Sequence, residues 1–78
     1  MANNENGINV IAGQNIRAAR ERMGLSQDAF ADVCGVHRTY IGSVERGERN
    51  ITLDTLARIA KAASTTPVAL LKGKGRGK

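Results

Sequence analysis

GVHRTYIGSVERGERN, residues 35–50, decides how the rest of this chain is read. Gly35 and Gly47 punctuate it twelve positions apart, and the segment between them has a helical pattern. Val36, Tyr40, Ile41 and Val44 fall where one face of that helix can be buried. His37, Arg38, Thr39, Ser43 and Arg46 are left on the opposite side. Such a face meets water, another protein or a nucleic acid, and the flanking sequence has to choose among them.

Immediately upstream, SQDAFADVC reads as a second helix. Ser26 suits its N-cap, and Asp28 lies in the first turn, where the helix dipole favours an acid. Phe30, Ala31 and Cys34 share a face. Two helices joined by a short turn raise the helix-turn-helix motif, and three positions sharpen it. Ala31 is small where the second helix must cross closely, Gly35 provides the positive φ of a tight turn, and Ile41 fills the space between the helices.

Further out, INVIAGQNIRAARERMG is helical, although Ile8, Val10 and Ile11 alone also fit a strand. Ile16, Ala19, Arg20 and Met23 share one face, and Gly24 followed by Leu25 reads as a C-terminal stop with an apolar residue folding back. On the other side Thr52 caps a fourth helix carrying Leu53, Leu56, Ala57, Ile59, Ala60 and Ala63. Thr66 and Pro67 read as N-cap and N1 of a short fifth helix, PVALLK. The expectation is an all-α, compact five-helix domain over residues 9–72, with the helix-turn-helix at about 26–46. Residues 1–8 are expected to form a disordered arm and 73–78 a flexible basic tail. Gly42 departs from good helix chemistry by about 1 kcal/mol relative to Ala, and can admit a close approach of backbone or partner.

Seventy-eight residues allow one small domain with a modest core, so dimerisation is a natural source of extra stability. The stretch MANNENGINV lacks the basic region and long apolar run of a signal peptide and no run approaches membrane length, so an intracellular, cytoplasmic and nucleoid-associated protein is expected. The net charge of +5 is uneven: the tail KGKGRGK holds four bases and no acid, leaving residues 1–71 with eight bases against seven acids. That tail either touches polyanions or merely solubilises the chain. Lone Cys34 has no disulfide partner, and one Cys with one His is too few ligands for a metal. A Cys34–His37 nucleophile pair would lack an orienting group. No enzyme, no cofactor and no small-molecule ligand are expected.

The motifs RxxxG-LSQ, HRTYIGSVERGERN and LDTLARIA together resemble the Cro-repressor (XRE-like, lambda-repressor-like) helix-turn-helix family over roughly residues 9–72. Within it, the RTYI and ERGERN segments look most like controller proteins of restriction–modification systems. The resemblance implies a transcriptional regulator, a repressor and autoregulator, that binds double-stranded DNA as a homodimer on an inverted repeat. The second helix of the motif would be the recognition helix, from about Val36. Arg38, Thr39 and Ser43 match base-reading positions, and Gln27, Arg49 and Asn50 backbone contacts; apart from the resemblance, His37 reads as an accessory phosphate or base contact. Tyr40 would reach a base or phosphate, or pack at the helix–loop junction. Glu45 would be tied to Arg20 in a structural ion pair; the dimer surface is expected, from the small size of the domain, at the end of the fourth helix and on the fifth, with Val68, Leu70 and Leu71. The chemistry of the face agrees, since an arginine fork fits guanine O6 and N7, and hydroxyls and amides suit phosphate oxygens. Two other readings stand beside it: an antitoxin that masks a toxin, and a nonspecific chromosome-binding protein, which the near-neutral body disfavours.

Overall fold

A computed structural model describes residues 7–73 of the chain. Within them the order is α1 (Ile8–Arg22), α2 (Gln27–Cys34), α3 (Arg38–Glu45), α4 (Leu53–Ala62) and α5 (Pro67–Leu71), with no strand among the described residues. Local chemistry sets most boundaries. Ser26 Oγ accepts the Ala29 N–H at 3.0 Å, Thr52 Oγ1 that of Thr55 at 3.1 Å, and Thr66 Oγ1 that of Ala69 at 3.1 Å. Each satisfies an N–H that the helix leaves without a partner. After α1, the Leu25 N–H donates to Arg20 O at 3.3 Å, which turns Leu25 back against the core. Gly35 ends α2 at φ +75°, where a side chain would be strained, and the Val36 N–H closes the turn on Ala31 O at 3.0 Å.

The core is one cluster in which Phe30, Ile16, Ile41, Ile59 and Val44 are fully buried. α3 lies between α1 and α2, while α4 packs on α2 and α5, and α5 returns to α1. Thus one long side of α3 is committed to the interior. Cys34 is buried with the core, and burial pushes its thiol up to about 11 from an ordinary value near 8.5. A raised folded-state value means that its contribution to stability is present below the ordinary thiol range and is lost as pH rises toward about 11. Reagents that need a thiolate should therefore label native protein negligibly at pH about 8 and label it fully in denaturant. Stoichiometric labelling of the native state within the mixing time would contradict this burial.

Several expectations require correction. α3 begins at Arg38 and not near Val36, because His37 takes the N-cap and Val36 tucks half-buried against the core. Leu70, expected on a dimer surface, is 3% exposed and belongs to the core. α5 can turn only part of its short surface inward, and that part carries Leu70, whereas Val68 is 68% exposed and Leu71 half-buried. Met23 and Leu53 sit outside the core although their helices suggested buried positions. Ile8 is already inside α1. The rest of the expected arm, residues 1–6, and the tail from 74 onward lie outside the described residues.

Candidate nucleic-acid interface

α3 presents its polar side because Ile41 and Val44 are sealed beneath it. His37 starts it: ring Nδ1 accepts the Thr39 N–H at 3.1 Å. A ring accepting at Nδ1 carries its hydrogen on Nε2, so His37 keeps one donor for a partner. Arg38 and Thr39, the first two helical residues, are exposed, and Arg38 Nε lies 3.9 Å from Asp28 Oδ1 of α2. One turn on, Ser43 Oγ donates to Tyr40 O at 2.9 Å, which leaves its lone pairs to accept. Tyr40 is half-buried, and the exposed Arg49 guanidinium sits 5.0 Å from its ring centroid, a cation–π contact that orients both. The structure thus places His37, Arg38, Thr39, Tyr40 and Ser43 along one helix, with Arg49 joined to them through Tyr40.

Behind this face lies a part-buried polar brace. Arg20 Nε donates to Glu45 Oε2 at 2.7 Å, and Nη2 donates to Oε1 at 3.1 Å, a bidentate pair. The remaining Nη1 donates to Leu25 O at 2.9 Å. The side chains are 13% and 3% exposed, and donating hydrogen bonds to Glu45 holds the Arg20 guanidinium above even its ordinary high range. Gln27 joins the same carboxylate, Nε2 donating to Glu45 Oε1 at 2.9 Å. One amide hydrogen of Gln27 is therefore used within the chain. Gly42 leaves room across α3 for this arrangement: a Cβ there would meet Arg46 Nη1 at 3.4 Å and Gln27 Oε1 at 3.5 Å.

Asn50, in the loop after α3, accepts from Asn9 Nδ2 at 2.6 Å through its Oδ1, so the loop is tied to the start of α1. Sequence reasoning passed over Asn9, which lies 41 positions away and carries no local signal. It also passed over Arg46 as a site residue; this side chain lies across Gly42, and its ion pair with Glu48 at 3.1 Å holds its guanidinium above the ordinary range. Among the described residues no group of three or more His, Cys, Asp or Glu could hold a metal, and no helix is long and apolar enough to cross a membrane.

A helix-turn-helix family model matches residues 16–70. The control protein C.SmaI of Serratia marcescens is 50% identical over 68 residues, 87% of this chain and 81% of that protein. Among solved structures, the restriction-modification controller protein C.AhdI from Aeromonas hydrophila matches with a TM-score of 0.76 at 40% identity, covering 80% of this chain and 94% of its own. The P22 c2 repressor, solved in complex with a synthetic operator, matches with a TM-score of 0.75 at 33% identity, covering 81% and 96% of the two chains.

Proposed function

The chain belongs to the helix-turn-helix family of DNA-binding transcriptional regulators, and on that premise we propose that it is a homodimeric, sequence-specific repressor that controls its own operon. As a member of this lambda-repressor-like class it is a regulator and not an enzyme. The similarity to control proteins favours a restriction–modification setting.

The observation that carries this reading is the placement of Arg38 and Thr39, both exposed in the first turn of a helix whose opposite side is sealed in the core. In this fold class the N-terminal residues of the recognition helix enter the major groove. There Arg38 would take guanine O6 and N7, and Thr39 would place its methyl against thymine. His37, with its free Nε2–H, and Ser43, with its free lone pairs, would add contacts beside them. Gln27, Arg49 and Asn50 would hold phosphates, which position the protein without specifying sequence.

Two protomers would set their α3 helices in successive major grooves about 34 Å apart. Exposed Val68 and an apolar groove of about 150 Å³, lined in part by Ile8, Leu53, Leu56 and Leu71, support a dimer face at this end of the molecule. Because Leu70 is buried, the face would run over Val68 and Leu71 without it.

Selection from a randomised duplex pool at about 150 mM salt tests the reading. Enrichment of a two-fold symmetric site is expected. Absence of enrichment, with binding that vanishes as salt rises, would contradict base reading and favour a protein partner. On the selected site, Arg38→Ala should erase about 1–3 kcal/mol of preference at one base pair per half-site. An equal loss on every sequence would deny Arg38 a reading role.

A further inference from the structure

Asp28 and Asp32 lie one helical turn apart on α2, and both line an open groove that Val36, His37 and Arg38 complete. The two carboxylates are not equivalent. Asp28 Oδ1 lies 3.9 Å from Arg38 Nε, whereas Asp32 makes no ion pair among the described residues. The Asp28 and Arg38 side chains are 76% and 64% exposed, so the pair adds little to folding. Its position gives it another use. Asp28 sits in the first turn of α2, where the helix dipole favours a carboxylate. Arg38 is the first residue of α3, where the dipole disfavours a cation. The anion is therefore settled by its own helix, and the arginine is drawn toward it across the turn.

We propose that Asp28 is a positioning and selectivity residue for Arg38. The proposal rests on Arg38 reading a base, as set out above. In the free protein Asp28 narrows the range of the long arginine side chain and holds it over the groove. A guanidinium has five N–H donors, so on a matching base pair Arg38 can take two acceptors and still face the carboxylate. On a mismatched pair the guanidinium either stays with Asp28 and contributes no base contact, or swings to a phosphate. In the second case a bare carboxylate is left among phosphodiesters, which repel it. Asp28 therefore sharpens discrimination by weakening wrong complexes more than the right one.

The test uses the full-length chain, the duplex selected from the random pool, and duplexes altered at the base pair that Arg38→Ala identifies. Kd is measured by fluorescence anisotropy at about 100 mM salt. Asp28→Asn should cut the ratio of matched to mismatched affinity about two- to fivefold, the size of an exposed charge pair, mainly by tightening the mismatched complexes. Asp28→Glu should keep the ratio. Asp32→Asn removes the same charge from the same groove and should leave the ratio intact. In an Arg38→Ala background, Asp28→Asn should no longer change it. Equal gains on every duplex, or the same effect from Asp32→Asn, would reduce Asp28 to bulk charge and overturn the proposal. If Arg38→Ala keeps its base-specific loss while Asp28→Asn leaves the ratio unmoved, the role of Asp28 alone fails. If Arg38→Ala causes no base-specific loss, base reading by Arg38 and the proposal fail together.

Discussion

Arg20→Met should lower the unfolding free energy by about 3–5 kcal/mol, the cost of stranding the nearly enclosed Glu45 carboxylate of a part-buried ion pair. Methionine roughly preserves the length and volume of the aliphatic stem, so the loss reports the missing charge and hydrogen bonds. Glu45 is 3% exposed, and it would lose both bonds from Arg20 while keeping only the Gln27 amide. Leu25 O would lose its Nη1 donor at the turn after α1. A domain of this size has a total stability of only about 5–15 kcal/mol, and each kcal/mol shifts Tm by about 4–8 °C. The expected drop is therefore about 12 °C or more, read by urea titration and thermal melting followed by circular dichroism. Replacing both Arg20 and Glu45 with apolar residues should cost much less than the two single changes together, because no charge is then stranded. By contrast, Arg17 and Glu21 form an exposed pair, 62% and 57% accessible, and removing it should cost under about 0.5 kcal/mol. If Arg20→Met were as mild as that, the brace behind α3 would have no energetic weight.

The contrast between these two pairs marks how far the sequence alone could be read. Caps are local, so Ser26, Thr52 and Thr66–Pro67 announce their helices to within a residue. Gly35 announces the turn because its position demands positive φ. The start of α3 was harder to place, since histidine is an uncommon N-cap and an apolar Val36 beside it looks helical. Contacts distant in sequence have no local signature. Residues 20 and 45 are linked only by a recognised family pattern, and Asn9 with Asn50 by nothing in the chain at all. In α5 the difficulty is length: five residues are too few for periodicity to say that Leu70 turns inward and Val68 outward. The candidate interface was easier, because exposed Arg38 and Thr39 follow from the buried side of the same helix. What sequence could not convey was their surroundings, the Asp28 carboxylate and the Arg49–Tyr40 stack.

Gly13→Ala is expected to destabilise the protein, although helix propensity alone argues the reverse. Gly13 lies inside α1, where alanine should be better by about 1 kcal/mol. Nothing in its sequence neighbourhood marks it as special. In the fold it is the point where α1 meets the C-terminal end of α3. An added Cβ would fall inside contact distance of the Val44 carbonyl oxygen, and would lie 2.9 Å from that of Glu45 and 3.1 Å from its carbonyl carbon. These are backbone atoms in the last turn of a helix, so no side-chain rotation can relieve the clash. The two helices must move apart, and overpacking of this kind typically costs about 1–3 kcal/mol. That cost exceeds the propensity gain over most of its range, so a net loss is expected. The displaced segment includes Glu45, whose carboxylate must stay aligned with Arg20, and bidentate geometry tolerates little shift. The two perturbations should therefore couple: Gly13→Ala combined with Arg20→Met should cost less than the sum of the separate changes, because the first already loosens what the second removes. Since α3 carries Arg38 and Thr39, the same displacement should weaken binding to the selected duplex more than binding to random DNA. A Gly13→Ala protein that melts above the parent would show that α1 and α3 can separate at no cost, and that this contact does not set the position of α3.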